Sequence, residues 1–322
     1  MRRIIPIFLL LIFSSVVFSQ TEKLLNPADL KQQTIITEPL SLRKGFIRVG
    51  FTYAYSVLDK YYDEFGNKKY SPESTWGTTT GTTFWGQYGV TDRLMVEIGL
   101  PYATNLINYH SKIYAPGIDS MILLNSSVRG KGIGDLIVSG TFQIIPSEEN
   151  QFSLKASVDI TIPTAEKNPT NISGWRDYDA PAGYGAFVIT PRITARMVSY
   201  PFSYIAYVAY NYNFKGSKIL SPGDPVEKQF KYGDFFLGGA SFNFHLNEWI
   251  ALANELNYSF TGKGEVENTP SSDLTTSWAV SYETRLIFQI KRFRLGEAVS
   301  IPLKGMNVGA DPTYVLLAQY VF

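Results

Sequence analysis

Two histidines, His110 and His245, are the only imidazoles in this 322-residue chain, and cysteine is absent. Without thiols there can be no disulfides, thiolate nucleophiles or cysteine metal sites. No His-Glu-x-x-His spacing occurs, and the strand reading below sets the two histidines at opposite rims, where they cannot share a metal. Serine hydrolysis needs a base within reach of a hydroxyl. His110 has Ser111, Ser126 and Ser127 as candidate partners, but no Gly-x-Ser-x-Gly elbow accompanies them. Gly130, Gly132 and Gly134 flank Lys131 without the spacing of a phosphate-binding loop. No catalytic residue, cofactor or metal is expected.

The charged residues that do follow a pattern are Arg48, Glu97, Asp135, Lys155, Asp159, Arg192, Glu255, Glu283, Arg285 and Arg294. They fall at polar positions of runs in which every second residue is apolar. Beside many Ser, Thr, Gly and Asn they describe a wet, charge-balanced lining, with small residues such as Gly50, Ala54 and Ser157 leaving room for water; the alternative is that the charges pair with one another and fill the interior.

The elements that must position this lining are strands. Ile47, Val49, Phe51, Tyr53, Tyr55 and Val57 alternate with Arg48, Gly50, Thr52, Ala54 and Ser56. The same period of two returns from Phe152 to Ile162, from Tyr204 to Phe214 and from Trp278 to Ile290, and helical spacing fits none of these runs. About twelve such segments are expected, near 46–57, 76–88, 93–106, 132–145, 152–162, 184–197, 203–214, 232–245, 249–260, 275–290, 293–303 and 313–322. Short turns and long polar links alternate between them, as in transmembrane β-barrels with brief periplasmic turns and longer external loops. A soluble β-sandwich also repeats alternating strands, but its strands run about five or six residues and these are about twice that.

Composition agrees. Lys and Arg number 29 against 28 Asp and Glu, a neutrality that gives no reason to expect nucleic acid as a partner. Aromatics make up 15% of the chain, as the two interfacial girdles of a barrel would require. Met1–Ser19, with Arg2, Arg3 and an apolar run, reads as a secretory signal peptide cut before Gln20. Once Arg2 and Arg3 leave, 27 cations face 28 carboxylates, a balance of −1. Residues 20–44 read as a loose periplasmic leader rather than a partial plug, and 45–322 as the barrel. The ending Tyr314, Leu316, Ala318, Tyr320, Phe322 is similar to the C-terminal signal read by the barrel-assembly machinery.

Three residues break the alternation. Pro191 predicts a bulge in the sixth strand. Asn254 and Glu297 fall on otherwise apolar faces, and a register shift at Gly296, rather than an intermolecular contact, is expected to turn Glu297 inward, away from lipid.

At Gly132-Ile133-Gly134-Asp135-Leu136 and Tyr88-Gly89-Val90-Thr91-Asp92-Arg93-Leu94, with a weaker likeness at Thr37-Glu38-Pro39 before Lys44-Gly45, the chain resembles the outer-membrane family named for the meta-pathway of phenol degradation. The resemblance implies a transporter-like barrel and carries no functional residues with it. The expectation is therefore an all-β, antiparallel, up-and-down barrel in the bacterial outer membrane, both termini periplasmic, acting as a narrow conduit for small, hydrophobic or aromatic solutes. The rival readings are a membrane-embedded hydrolase and a structural barrel whose loops bind a partner.

Overall fold

The computed structural model describes residues 42, 44–70, 75–114, 121–146, 152–168, 178–180, 182–221, 224–247, 249–271 and 274–322. The expected signal peptide, and the expected leader up to residue 41, lie outside the described residues.

Twelve strands form one closed barrel. They are β1 (Ile47–Leu58), β2 (Thr75–Gly89), β3 (Leu94–Tyr114), β4 (Leu136–Ile145), β5 (Phe152–Ile162) and β6 (Val188–Ser199). β7 (Phe202–Asn213), β8 (Phe235–His245), β9 (Ile250–Thr261), β10 (Ser277–Ile290), β11 (Phe293–Met306) and β12 (Thr313–Val321) complete it. Each strand pairs antiparallel with its sequence neighbours, and β12 closes on β1 through Arg48 opposite Val321 to Ser56 opposite Thr313. Closure leaves no free edge, which is what allows a sheet to sit in lipid with every ladder group paired.

The period of two decides which residues face out. Ile98, Ile193, Val208 and Leu256 are each about half exposed on the outer face, where an aqueous setting would leave a continuous apolar belt unpartnered. Aromatic rings gather at both margins of this belt. Tyr320 meets Phe322, and Phe202 meets Phe242 and Phe244, at the end carrying the short turns; Tyr55 meets Tyr314, and Tyr212 meets Phe214, at the end carrying the long loops. The surface is that of a membrane-spanning barrel with two interfacial girdles.

Turn chemistry fixes the short-turn end. Thr91 Oγ1 accepts from the amides of Arg93 and Leu94, and Asn247 Oδ1 accepts from those of Trp249 and Ile250. At the other end several links carry strands of their own. β3 continues past the barrel wall and pairs with Met121–Ile133 as a ribbon. The fourth strand, expected from Gly132, therefore begins at Leu136. Gly132 and Ile133 belong to the ribbon, and the break falls at Gly134, whose amide donates to Pro101 O at 2.7 Å. A Cβ on Gly134 would stand 2.8 Å from Pro101 Cγ, so the crossing demands glycine. Gly216–Ser221, Asp224–Lys231, Glu265–Val266 and Thr269–Pro270 form a small sheet over the same end, and Lys60–Tyr62, Lys68–Tyr70 and Val308–Gly309 form another.

Two expectations are corrected by the register. Pro191 causes no bulge: Ile189 faces Tyr212 and Arg192 faces Ala209 in one unbroken register, and only the pairings at Thr190 and Pro191 lapse on the β7 side. The missing proline N–H costs a ladder bond without displacing the strand. Glu297 is not turned inward either. β10 and β11 keep one register from Ile290–Phe293 to Ser281–Pro302, the shift comes only at Val280, and Glu297 stands opposite outward Leu286 and is exposed.

Leu42 meets the barrel at its short-turn mouth. It is fully buried against Met95 and Val321, whose side chains face the interior. The end of the expected loose leader is thus seated inside the rim.

Candidate functional site

The barrel interior is the candidate site, and the inward parity of each strand supplies its groups. Arg48 on β1 donates through Nη1 to Gln87 Oε1 of β2 at 3.1 Å, and Gln87 Nε2 donates in turn to Glu97 on β3. Lys155 on β5 has Arg192, Glu97, Arg48 and Asp159 as electrostatic neighbours, so charges from four strands meet in one cluster. Arg192 on β6 stands 3.9 Å from Asp159, too far for a hydrogen bond, and lies over the Tyr207 ring of β7 at 5.8 Å.

The next stretch of wall brings two carboxylates together. Tyr207 Oη, with one proton to share, lies 3.1 Å from the acceptor Glu255 Oε1 and 2.6 Å from Asn257 Oδ1. Glu255 on β9 faces Glu283 on β10 directly across the ladder, and Glu283 is also bonded by Arg285 Nε at 3.1 Å. Arg294 on β11 donates to Gln289 Oε1 at 2.6 Å and 3.1 Å, nearer the short-turn end.

Nine of the ten residues singled out in the sequence are thus set on inward strand positions. The tenth, Asp135, is buried between strands at the loop end, where Oδ1 accepts from the Ala165 amide at 2.9 Å and Oδ2 from the Tyr184 amide at 2.6 Å. It fastens two stretches of loop to the wall.

Arg196 was missed by sequence reading although it occupies an inward position of β6 two residues below Thr194; the alternation alone could have found it. On the inward faces of the described strands, Arg48, Lys155, Arg192, Arg196, Arg285 and Arg294 now face Glu97, Asp159, Glu255 and Glu283. Six cations against four carboxylates replace the expected balance.

Space is also distributed differently from expectation. A Cβ on Gly50 would stand 2.5 Å from Cζ2 of Trp85, so the gap left by this glycine holds an indole rather than water. Gly239 plays the same part for Tyr207, at 2.7 Å.

At the loop end a cavity of about 360 Å3 is lined by Tyr184, Asn211, Asn213, Tyr232, Leu274 and Ser277, among others. The Tyr184 and Tyr232 rings lie 4.3 Å apart, Phe230 packs edge-on against Tyr232 at 4.8 Å, and Lys218 Nζ lies over both of those last two rings. Burial pushes the Tyr184 phenol up, which keeps it a donor to Asn213 Oδ1 at 3.3 Å. Apolar faces with a few convergent amides are what a small ring-bearing solute requires.

The fold also forms a serine–histidine contact that sequence spacing could not show. Ser203 Oγ and His245 Nε2 lie 2.9 Å apart, and Asn243 Nδ2 donates to the same hydroxyl at 3.1 Å. Nucleophile and base geometry is met, yet Ser203 is 1% exposed and His245 2%. His245 Nδ1 has no hydrogen-bond partner among the described residues, so no carboxylate orients the ring as a catalytic triad requires, and its charged neighbour is Arg196. The contact packs the short-turn end of the wall. The side chains of His110, Ser111, Ser126 and Ser127, the other candidate set, lie outside the described residues.

No protein-family profile matches the chain. The crystal structure of the COG4313 outer membrane channel from Pseudomonas putida F1 is similar over 88% of this chain and 97% of that one, with 15% identity and a TM-score of 0.65. The CymD monoaromatic hydrocarbon channel (10% identity, 92% of this chain and 91% of that one) and the Ralstonia pickettii toluene transporter TbuX (11%, 87% and 90%) score 0.40 and 0.37. What the first similarity shows is the fold: a closed, all-β, outer-membrane-type barrel of twelve antiparallel strands.

Proposed function

We propose that the protein is an outer-membrane conduit for small solutes, with aromatic or hydrophobic molecules its best substrates and a mild preference for anionic ones. The observation that supports it is the inward pairing of Glu255 with Glu283. Two carboxylates directly opposite one another are unfavourable unless water or a cation relieves them. Arg285 relieves Glu283, while Glu255 has the neutral Tyr207 hydroxyl and no cation within ion-pair distance among the described residues; a hydrated lumen tolerates that charge better than a dry filling of side chains would. The aromatic and amide cavity around Tyr184 and Tyr232 then serves as the entry site, and the likeness to the phenol meta-pathway family at Gly132–Leu136 and Tyr88–Leu94 is one of layout. Its two motifs are a crossing and a turn of the barrel, which explains why they mark the architecture rather than a substrate.

In this reading Met1–Ser19 directs export, Phe322 is presented to the barrel-assembly machinery, and the short turns face the periplasm. Planar-bilayer recording and liposome swelling test the conduit. Small, weakly anion-selective current and swelling with small aromatic solutes are expected; silence in both assays rejects it and moves weight to a loop-binding barrel.

A further inference from the structure

The outer face carries a polar patch at mid-height, on three consecutive strands. The outward residues of β11 are Phe293, Leu295, Glu297, Val299, Ile301 and Leu303, and those of β9 are Ile250, Leu252, Asn254, Leu256, Tyr258 and Phe260. Glu297 and Asn254 are each third from the short-turn end, with apolar residues above and below. Four residues of rise along a strand tilted near 40° put Glu297 about 10 Å inside a belt about 25 Å tall.

The two groups are complementary. Asn254 Oδ1 accepts from Tyr282 Oη at 2.5 Å and from Thr284 Oγ1 at 3.4 Å, both on β10. Its carbonyl is therefore occupied, and the amide N–H groups, with no acceptor among the described residues, are left pointing away from those hydroxyls. Glu297, exposed between Leu286 and Leu316, has no hydrogen-bond or ion-pair partner among the described residues. An acceptor-only carboxylate and a donor amide thus flank β10 about 12 Å apart, two strand spacings across and two residues along, and both face lipid. Lipid tails can satisfy neither.

We infer that this patch is the interface for a second copy of the chain, in a two-fold dimer within the membrane. A half-turn about an axis through the outer face of β10, between Thr284 and Leu286, brings Glu297 of each copy to Asn254 of the other. One contact becomes two identical ones, as isologous interfaces require. Leu286, Leu252 and Leu256 provide the apolar packing around them. The inference does not depend on whether the lumen conducts.

The chain has no cysteine, so crosslinking is unambiguous. Leu286→Cys lies beside the axis, and Val208→Cys lies on the outer face of β7, remote from it. In native membranes under mild oxidation, Leu286→Cys is expected to give a disulfide-linked dimer and Val208→Cys to stay monomeric. Adding Glu297→Leu should lower the dimer yield by at least about tenfold, since a charge-assisted hydrogen bond is lost from each half. Asn254→Leu should do the same, the two together should do no more than either, and Glu297→Gln should retain part of the yield. Heat-modifiable gel mobility checks that each variant still forms a barrel; Glu297→Leu should insert at least as well as wild type, because it removes a carboxylate from lipid. Equal crosslinking at positions 286 and 208, or a yield indifferent to Glu297→Leu, overturns the dimer.

Discussion

Glu255 and Glu283 stand directly opposite each other on adjacent strands, both facing the barrel interior, with Tyr207 bonded to the first and Arg285 to the second. Their repulsion should be measurable. Glu255→Gln is expected to stabilise the barrel by about 0.2–1 kcal/mol in urea unfolding, and to tilt conductance further toward anions. Arg285→Gln should do the reverse, shifting the reversal potential toward cations. If Glu255→Gln instead destabilised by about 3–5 kcal/mol, the carboxylate would be a member of a dry, buried ion-pair network, and the hydrated lumen would fail.

Trp85 decides how much of the lumen is free beside β1. Its indole occupies the space over Gly50, where a Cβ would also meet Ala318 O at 2.6 Å. Gly50→Ala should therefore strain the wall, costing about 1–3 kcal/mol, and push the ring toward the axis. Trp85→Ala should raise single-channel conductance. Unchanged conductance in Trp85→Ala would place the narrowest point elsewhere.

Much of this was legible because alternation is a local signal. The strand set, the facing of Arg48, Lys155, Arg192, Glu255 and Glu283, and the alternation of turns with loops all follow from which of two neighbours is apolar. What was not legible depends on partners distant in sequence. Ser203 meets His245 only because β7 pairs with β8 in one particular register. Gly50 looked like space because nothing local says that Trp85 fills it. The ribbon built from Met121–Ile133 opens with four consecutive apolar residues and then turns polar, so its sequence shows no period of two. Glu297 and Pro191 misled for a different reason. Each breaks a rule of energetic cost, and a bulge was the local way to avoid it. The sheet kept its register and accepted the cost, locally at Pro191 and, by the inference above, through a partner at Glu297.

Asp135 holds the loop end by accepting the amides of Ala165 and Tyr184 on its two oxygens. Asp135→Asn keeps one acceptor and Asp135→Ala keeps none. Loss of both should cost about 2–6 kcal/mol locally if the amides stay buried, or open the loop so that water satisfies them. Limited trypsin digestion should then cut after Lys167 faster in Asp135→Ala than in Asp135→Asn, and slowest in wild type. Equal rates would mean that the clasp does not restrain the loop.

Asp63 sets a pH limit on the first hairpin at the loop end. Its Oδ1 accepts from the amides of Phe65 and Asn67, and Lys69 Nζ lies 2.7 Å from Oδ2. The lysine contact is the largest of several effects that lower the carboxyl to about 2. A depressed carboxylate contributes stability that is complete above its unfolded value of about 4 and is lost as pH falls through the folded one. Amide exchange at Phe65 and Asn67 should therefore stay slow at pH 4 and accelerate near pH 2. Lys69→Met should move that acceleration to higher pH. A wild-type midpoint already near 4 would show that the turn does not hold the carboxylate.

Orientation is the last prediction, and it rests on which end carries which kind of connection. Asn268 lies in the tight turn between Glu265–Val266 and Thr269–Pro270, exposed and at φ +63°, beyond the loop-end mouth. At the other end, Asn247 accepts two backbone amides in the β8–β9 turn, so a cysteine there would loosen the turn it is meant to report on. Leu246, 54% exposed in the same turn, is the better probe. If the short turns face the periplasm, Asn268→Cys should react on intact cells with a membrane-impermeant maleimide too large to pass the barrel. Leu246→Cys should react only after the outer membrane is breached. Native thiols cannot interfere, since the chain has none. The first strand begins and the last ends at the Leu246 end, Ile47 and Phe322 being bonded to each other there through their backbones. The labelling therefore locates those two strand ends as well. Reaction of Leu246→Cys on intact cells, with Asn268→Cys protected, would turn the molecule over and put the Tyr184–Tyr232 cavity at the exit rather than the entrance.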